Sequence, residues 1–294
     1  MNKRALVIVN PRAGTKKSKK DMFEIVDRLS QQGYSVSAQT TTQRGDGTRF
    51  IQEYGKDHDM VICSGGDGTL NEVINGILDC GLKLPIGYVP AGTTNDFART
   101  LQLPKKAEKC MDLILTGWPH SYDIGSFNNR NFTYIASLGA FTKVSYSTPQ
   151  KIKNALGHTA YLLEGVKEIG NISPFEAEFT ANGETYSGEF LFGAISNSTS
   201  IAGLFKLKKL EVRLDDGEFE LILIRNPKNV SDLHGIIQGL TKGKYDPRYV
   251  VFTHANEIRF RSPKPLPWTL DGESGGSHTE ATISVLHNAV KIIM

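Results

Sequence analysis

The segment Gly65-Gly66-Asp67-Gly68-Thr69 constrains this chain most. It follows an apolar run, Met60 to Cys63, and precedes a helical stripe of Leu70, Val73, Ile74, Ile77 and Leu78. A short apolar run bounded by glycine reads as a buried strand, and an i, i+3, i+4 stripe reads as an amphipathic helix. The same order recurs on either side. Ala5 to Val9 leads into Asn10-Pro11-Arg12-Ala13-Gly14 and then a helix with Met22, Phe23, Val26 and Leu29 on one face and Gly33 as its stop. Pro85 to Val89 leads into Ala91-Gly92-Thr93-Thr94-Asn95-Asp96. Between these, Tyr34 to Thr40 alternates as a strand, and Phe50, Ile51 and Tyr54 mark a helix. The alternation predicts an α/β region built on a parallel sheet with helices on both faces.

The pattern changes after about Tyr122. Phe175 to Phe179 and Thr185 to Phe192 flank Asn182-Gly183, a hairpin signal. Further strand-like runs are Phe219 to Ile224, Val250 to Phe252, Glu257 to Arg261 and Ala281 to Leu286. Helical stretches at Tyr161 to Ile169 and Val230 to Leu240 interrupt them. This second region is expected to be β-rich and antiparallel, packed as a sandwich or curled sheet. A chain of 294 residues fits one or two domains. The boundary falls at 122–130, giving an α/β domain over 1–125 and a β-rich domain over 126–294.

Composition removes several classes. Apolar residues make up 39% and charged residues 22%, which is globular rather than disordered. A net charge of +3 is too small to indicate nucleic acid. No run approaches about 18 apolar residues, so no spanning helix is expected. The apolar run after Lys3 and Arg4 stops at Asn10-Pro11, too soon for a signal-peptide core. Cys63, Cys80 and Cys110 are odd in number, lack metal-ligand spacing, and fit a reducing compartment.

Three glycine-bearing turns at the same edge of one parallel sheet point to a phosphate site. Such turns let backbone N–H groups approach phosphate oxygens, and the helix N-terminus that follows adds partial positive charge. The known phosphate motifs are absent. There is no G-x-x-x-x-G-K-[ST], Asn71 stands where G-x-G-x-x-G needs its third glycine, and Asn95-Asp96-Phe97-Ala98 is not D-F-G. A phosphate binder of another kind remains.

Phosphoryl transfer needs Mg²⁺ and a group that orients or deprotonates the attacking hydroxyl. The candidate carboxylates are Asp67, Glu72, Asp96, Asp123, Asp215, Asp216 and Glu273. Asp67 would repel a phosphate unless a cation bridges them. The plainer reading of Asp67 is a turn-forming residue; Asp215-Asp216-Gly217 reads equally as a β-turn, and Asp271-Gly272-Glu273 as a hairpin turn.

Five segments together resemble the diacylglycerol kinase, sphingosine kinase and bacterial lipid kinase family, most of all its soluble bacterial diacylglycerol kinases. They are Asn10 to Gly14, Gly65 to Gly76, Pro90 to Arg99, Leu214 to Gly217 and Asp271 to Glu273. The resemblance implies a two-domain enzyme that binds ATP in the α/β domain and admits a lipid acceptor to the interdomain cleft. It implies ATP contacts at Asn10, Pro11, Arg12, Ala13, Gly14, Thr41, Gly66, Asp67, Gly68, Thr69, Leu70, Asn71, Glu72 and Thr93. Asp67, Asp96 and Asp123 match carboxylates of a Mg²⁺ and water network, and Glu273 matches the general base for the lipid hydroxyl. Asp216, with the backbone of Arg213 and Glu218, matches a structural Mg²⁺ site to which Asp215 is linked. Arg99 and Lys16 are supplementary cations or solvated surface charges. Relatives continue into a C-terminal segment that returns to the first domain. This chain ends at Met294, soon after Ile283 to Leu286, so altered domain closure or dimer contacts are expected.

The implied reaction is ATP-dependent phosphorylation of diacylglycerol to phosphatidic acid. Phosphatidylglycerol, a sphingoid base, NAD, or a catalytically silent regulator are the alternatives. Asp271-Gly272-Glu273 favours the lipid branch over NAD kinase. A lipid acceptor implies work at the inner membrane face from the cytoplasm, and a homodimer fits the family. Lys16, Lys17, Lys19 and Lys20, with Lys151, Lys153, Lys206, Lys208 and Lys209, are basic clusters suited to an anionic surface. Phe127 to Ala140 and Tyr161 to Ile169 are candidate acyl-cavity linings, or core.

Overall fold

The computed structural model describes residues 3–14, 18–93, 95–139, 173–198, 200–201, 205–206, 212–242 and 246–294. The predicted helix at Tyr161 to Ile169 lies outside them. So do Lys16, Lys17, Lys151, Lys153, Lys208 and Lys209 of the basic clusters. The chain divides into two compact units, one of residues 1–124 with 287–294 and one of 125–286.

The first unit is built on parallel strands. β1 (Arg4–Val9) lies between β2 (Ser35–Thr40) and β3 (Met60–Gly65), and β3 pairs with β4 (Pro85–Pro90), all in parallel. The order β2-β1-β3-β4 reverses direction between β1 and β3. In open α/β sheets, ligands bind at the carboxyl ends of strands at such a switch point. Helices α1 (Ser18–Gln31), α2 (Asp46–Tyr54), α3 (Asp67–Asp79), α4 (Asp96–Thr100) and α5 (Ala107–Thr116) connect or follow these strands. Ala5, Val7 and Val9 share a core with Ile25 and Leu29 of α1 and Cys110, Met111 and Ile114 of α5. Leu6 and Ile8 point to the other face and are as fully buried. Right-handed crossovers put α2 and α3 on that face.

Two expectations for this unit are corrected. Phe23 was expected on the buried face of α1, but it is 75% exposed and Ile25 takes that place. The C-terminal residues, expected to stop short, instead return to the first unit. Lys291 and Ile292 pair in parallel with Pro85 and Ile86 of β4, and Met294 exchanges backbone hydrogen bonds with Trp118. Residues 287–294 therefore group with the α/β unit rather than with the second domain.

The second unit is antiparallel around the hairpin of β8 (Phe175–Ala181) and β9 (Glu184–Ser196), which turns at Asn182-Gly183. β5 (Pro119–Phe127) leads into it and pairs with β6 (Arg130–Phe132); β7 (Ile135–Gly139) then pairs with β9. A short pair, β10 (Ser200–Ile201) and β11 (Phe205–Lys206), follows. β12 (Phe219–Arg225) lies between β9 and β13 (Val250–Ala255), after which β14 (Glu257–Leu270) pairs with β7, β8 and β15 (Glu273–Ile293). Helix α6 (Val230–Lys242) connects β12 to β13. Phe179 packs edge-on to Phe190 at 5.7 Å, and Phe260 edge-on to Trp268 at 5.1 Å. Phe127, Phe132, Ala136 and Leu138 of the segment Phe127 to Ala140 belong to this same core.

Glu220 departs from that apolar pattern. It faces Ser196 on β9 and His254 on β13, and its side chain is 2% exposed. Its Oε1 lies 4.0 Å from His254 Nε2, and its Oε2 has no hydrogen-bond partner. Burial, with the nearby Asp216 and Glu218 charges, pushes its carboxyl up to about 8. The folded state thus holds a proton that the unfolded chain releases near the usual carboxylate value. The stabilisation is full below about pH 4.5 and is lost as pH rises through about 8. Wild-type stability should fall across that window, by up to about 1.4 kcal/mol per pH unit, and Glu220→Gln should flatten the slope; urea midpoints at several pH values check this.

Candidate active site

Three turns of the first unit meet at the carboxyl ends of β1, β3 and β4. Asn10 follows β1 and donates its backbone N–H to Ser64 O at 2.8 Å. Its side-chain Nδ2 donates to Thr69 Oγ1 at 3.0 Å, and its Oδ1 accepts the Arg12 N–H at 3.0 Å. The Asn10–Gly14 turn is thereby tied to the first turn of α3. The β4 turn is tied in from the other side, where Ala91 N–H donates to Gly65 O at 2.8 Å.

The contacts leave no room for side chains. A Cβ on Gly92 would lie 2.6 Å from Gly66 Cα. Gly14 has φ +64, and a Cβ there would lie 2.3 Å from the Ala91 carbonyl oxygen. The glycines thus let the three turns close on one another around the N-terminus of α3, whose first N–H groups have no intrahelical acceptor.

Asp67 opens α3 and crosses to the β4 turn. Its Oδ2 accepts the Asp96 N–H at 3.1 Å and its Oδ1 accepts the Phe97 N–H at 3.3 Å. Burial pushes its carboxyl up; the Asp96 charge adds to this, and the two N–H donors oppose it. Asp96 in turn lies 3.6 Å from Arg99. Two carboxylates side by side in a partly buried place suit a hard cation. Mg²⁺ is commonly held by one or two carboxylates plus substrate phosphates rather than by a full protein cage. No three His, Cys, Asp or Glu side chains among the described residues gather closely enough to hold a metal.

The other predicted residues divide. Thr41 is buried beside β1 and donates its N–H to Val9 O at 2.9 Å. Pro11, Arg12, Gly14, Gly68 and Thr93 are exposed on the turns, Ala13 is half-buried, and Leu70 and Asn71 lie in the first turns of α3. Asp123 has no exposed surface; its Oδ1 accepts the Asn288 N–H at 2.7 Å and faces His287 Nδ1 at 3.0 Å. Glu72 is engaged by backbone donors. Its two oxygens accept the N–H groups of Gly45 at 2.8 Å and Gly47 at 2.9 Å. It therefore anchors the loop that follows Thr41. Asp46 braces that loop by accepting from the Thr42 and Gln43 N–H groups and from Arg49, which hold its carboxyl far below the usual range.

Glu273 and the 213–218 turn lie in the second unit. Glu273 is exposed at the start of β15, directly after the turn Asp271-Gly272. That turn is pinned by Asp271, which the sequence marks only as a turn residue. Asp271 accepts the N–H groups of Thr133 at 2.5 Å, Tyr134 at 2.9 Å and Ile135 at 3.1 Å, and donates its own to Ile135 O at 2.8 Å. Burial nevertheless pushes its carboxyl up to about 6. In the other turn, Asp216 accepts the Glu218 N–H at 3.1 Å, and Arg213 lies 3.9 Å from Asp215. The structure brings Asp215, Asp216 and Glu218 together only as turn neighbours, all three exposed.

The diacylglycerol kinase catalytic domain matches residues 4–127. A diacylglycerol kinase of Bacillus subtilis (strain 168) is 33% identical over 277 residues, covering 93% of this chain and 91% of that protein. One from Staphylococcus carnosus (strain TM300) is 36% identical over 282 residues, covering 94% and 90%. This chain belongs to the diacylglycerol kinase family. The crystal structure of a diacylglycerol kinase from Bacillus anthracis str. Sterne shares the fold, with a TM-score of 0.76, 22% identity, and coverage of 99% of this chain and 96% of that one. The protein is a lipid kinase, and ATP is the phosphate donor its family implies. No helix among the described residues is long and apolar enough to cross a membrane.

For this kinase, Gly14→Ala should force a left-handed backbone onto a residue with a Cβ and drive it against Ala91. Stability should fall by about 1–2 kcal/mol, and ATP should rescue less of the melting temperature than in the wild type. Thermal melts with and without ATP measure both.

Proposed function

We propose that the kinase transfers the γ-phosphate of ATP to the hydroxyl of diacylglycerol, giving phosphatidic acid. The observation that carries this reading is the Asp67 junction of the β3 and β4 turns, which places paired carboxylates and a helix N-terminus around one point. The relatives' names supply the acceptor.

In this reading the Asn10–Gly14 turn, Thr41, the Gly66–Asn71 segment and Thr93 surround the nucleotide. N–H groups at the start of α3 meet phosphate oxygens, and Glu72 keeps the loop after Thr41 in place. Asp67 and Asp96 would hold Mg²⁺ together with the phosphates, and Asp123 would be reached through its water. When bound, Mg²⁺ neutralises charge on the phosphate oxygens as the transfer proceeds. The acceptor oxygen attacks the γ-phosphorus while its proton passes to the Glu273 carboxylate. The bond from the γ-phosphorus to the bridging oxygen breaks, and ADP leaves with that oxygen. A primary alcohol is a poor nucleophile at neutral pH, so the proton acceptor is needed in the transition state. The pinned Asp271 turn gives Glu273 a fixed base.

The 213–218 turn is a second, separate metal proposal. One carboxylate, Asp216, would be joined there by the carbonyls of Arg213 and Glu218 and by water, with Asp215 beside it.

Two measurements test the main reading. Labelled ATP with diacylglycerol in mixed micelles should yield labelled phosphatidic acid; label on phosphatidylglycerol, a sphingoid base or NAD instead would overturn the acceptor. Glu273→Ala should lower kcat by about 10²–10⁴-fold and leave ATP affinity intact. A loss of ATP affinity would move Glu273 into the nucleotide site.

A further inference from the structure

Asp123 carries no exposed surface, and what holds it comes from the far end of the chain. Its Oδ1 accepts the backbone N–H of Asn288 at 2.7 Å and faces the His287 Nδ1 at 3.0 Å. A carboxylate can only accept, so Nδ1 carries the proton and Nε2 is left as an acceptor. Asn288 meets that need, with its Nδ2 placed 2.7 Å from Nε2. Asn288 itself has φ 51, a left-handed conformation that asparagine tolerates better than most residues. One residue in an unusual conformation thus holds both the carboxylate and the ring that supports it.

This clamp connects to the phosphate turns within the same unit. The ring of Tyr122, next to Asp123, packs edge-on to Phe97 at 6.3 Å and 77°. The Phe97 N–H is the one that Asp67 Oδ1 accepts.

We propose that His287 and Asn288 are positioning residues for phosphoryl transfer, fixing the Asp123 carboxylate in the orientation in which it serves the Mg²⁺–nucleotide complex. The proposal rests on the reading of Asp123 given above. Two donors on one oxygen fix the plane of a carboxylate and so the direction of its other oxygen. Partners that orient a metal-linked carboxylate typically alter metal affinity or activity by about 10–100-fold when removed. A clamp that merely fastened the C-terminal segment would affect melting and not the metal response.

The test compares the full-length wild type with His287→Ala, His287→Asn, Asp123→Asn and the double variant Asp123→Asn/His287→Ala. Each is assayed for kcat, KM for ATP and for lipid, the Mg²⁺ concentration at half-maximal rate and, by calorimetry without lipid, the affinity for ATP with Mg²⁺ and with chelator, where His287→Ala should lose part of the wild-type preference for Mg²⁺–ATP. His287→Ala should raise the Mg²⁺ requirement or lower kcat by about 10-fold, with KM for lipid unchanged. His287→Asn, whose amide nitrogen can take the place of Nδ1, should restore most of that loss. Asp123→Asn should lose at least as much, and the double variant should lose no more than Asp123→Asn alone, because the two act as one unit. His287→Ala with wild-type kinetics beside an impaired Asp123→Asn overturns the proposal, even if melting is lowered. Asp123→Asn with wild-type kinetics overturns the reading beneath it. If His287→Ala does not fold, Asn288→Gly keeps the backbone N–H and the left-handed turn and removes only the hold on Nε2. It should shift the Mg²⁺ response in the same direction, and no shift overturns the proposal.

Discussion

The phosphate end of the first unit depends on the Asp67 side chain. A carboxylate at the start of α3 reaches over to the β4 turn and takes two consecutive backbone N–H groups, one on each oxygen. Without it, the Ala91–Asp96 turn would be joined to the β3 turn by the Ala91–Gly65 hydrogen bond and the approach of Gly66 to Gly92. The same placement brings Asp67 and Asp96 together, which burial makes costly in the absence of a cation. One interaction therefore builds the turn and creates the demand for positive charge that a Mg²⁺–nucleotide complex would meet.

The device recurs. Glu72 takes the N–H groups of Gly45 and Gly47, Asp123 takes that of Asn288, and Asp271 takes those of Thr133, Tyr134 and Ile135. In each case a carboxylate satisfies backbone donors of a segment distant in sequence. A loop at a strand end has donors with no ladder partner, and charge-assisted hydrogen bonds to them are stronger than neutral ones. Glu72 and Asp271 thus serve backbone donors, while Asp67 both holds its turn and meets the Asp96 charge.

That division explains what could be read from the sequence. Strand, glycine turn and helix were legible because burial of β1, β3 and β4 demands uninterrupted apolar runs and the close turns exclude side chains. The hairpin at Asn182-Gly183 was legible from its turn residues. The buried face of α1 was misread because Phe23 and Ile25 are both apolar, and periodicity over one turn does not choose between them. Glu72 fell inside a motif segment and so read as a nucleotide contact; its bond to Gly45 and Gly47 depends on how α2 packs against α3, which no local pattern encodes. The roles of His287, Asn288 and Asp271 are likewise long-range, since each acts through a partner more than a hundred residues away. The pairing of Lys291 and Ile292 with β4 had only a short apolar ending as its sequence signal.

The most direct test of the central claim is calorimetric titration of ATP, with Mg²⁺ and with chelator, into the wild type and Asp67→Asn. An amide offers one acceptor oxygen and less charge, so one of the two N–H groups would face another donor and the cation would lose its partner. The account predicts that the wild type binds Mg²⁺–ATP more tightly than ATP alone, and that Asp67→Asn, still folded by circular dichroism, loses this preference. A folded Asp67→Asn that keeps the wild-type preference for Mg²⁺–ATP would contradict it.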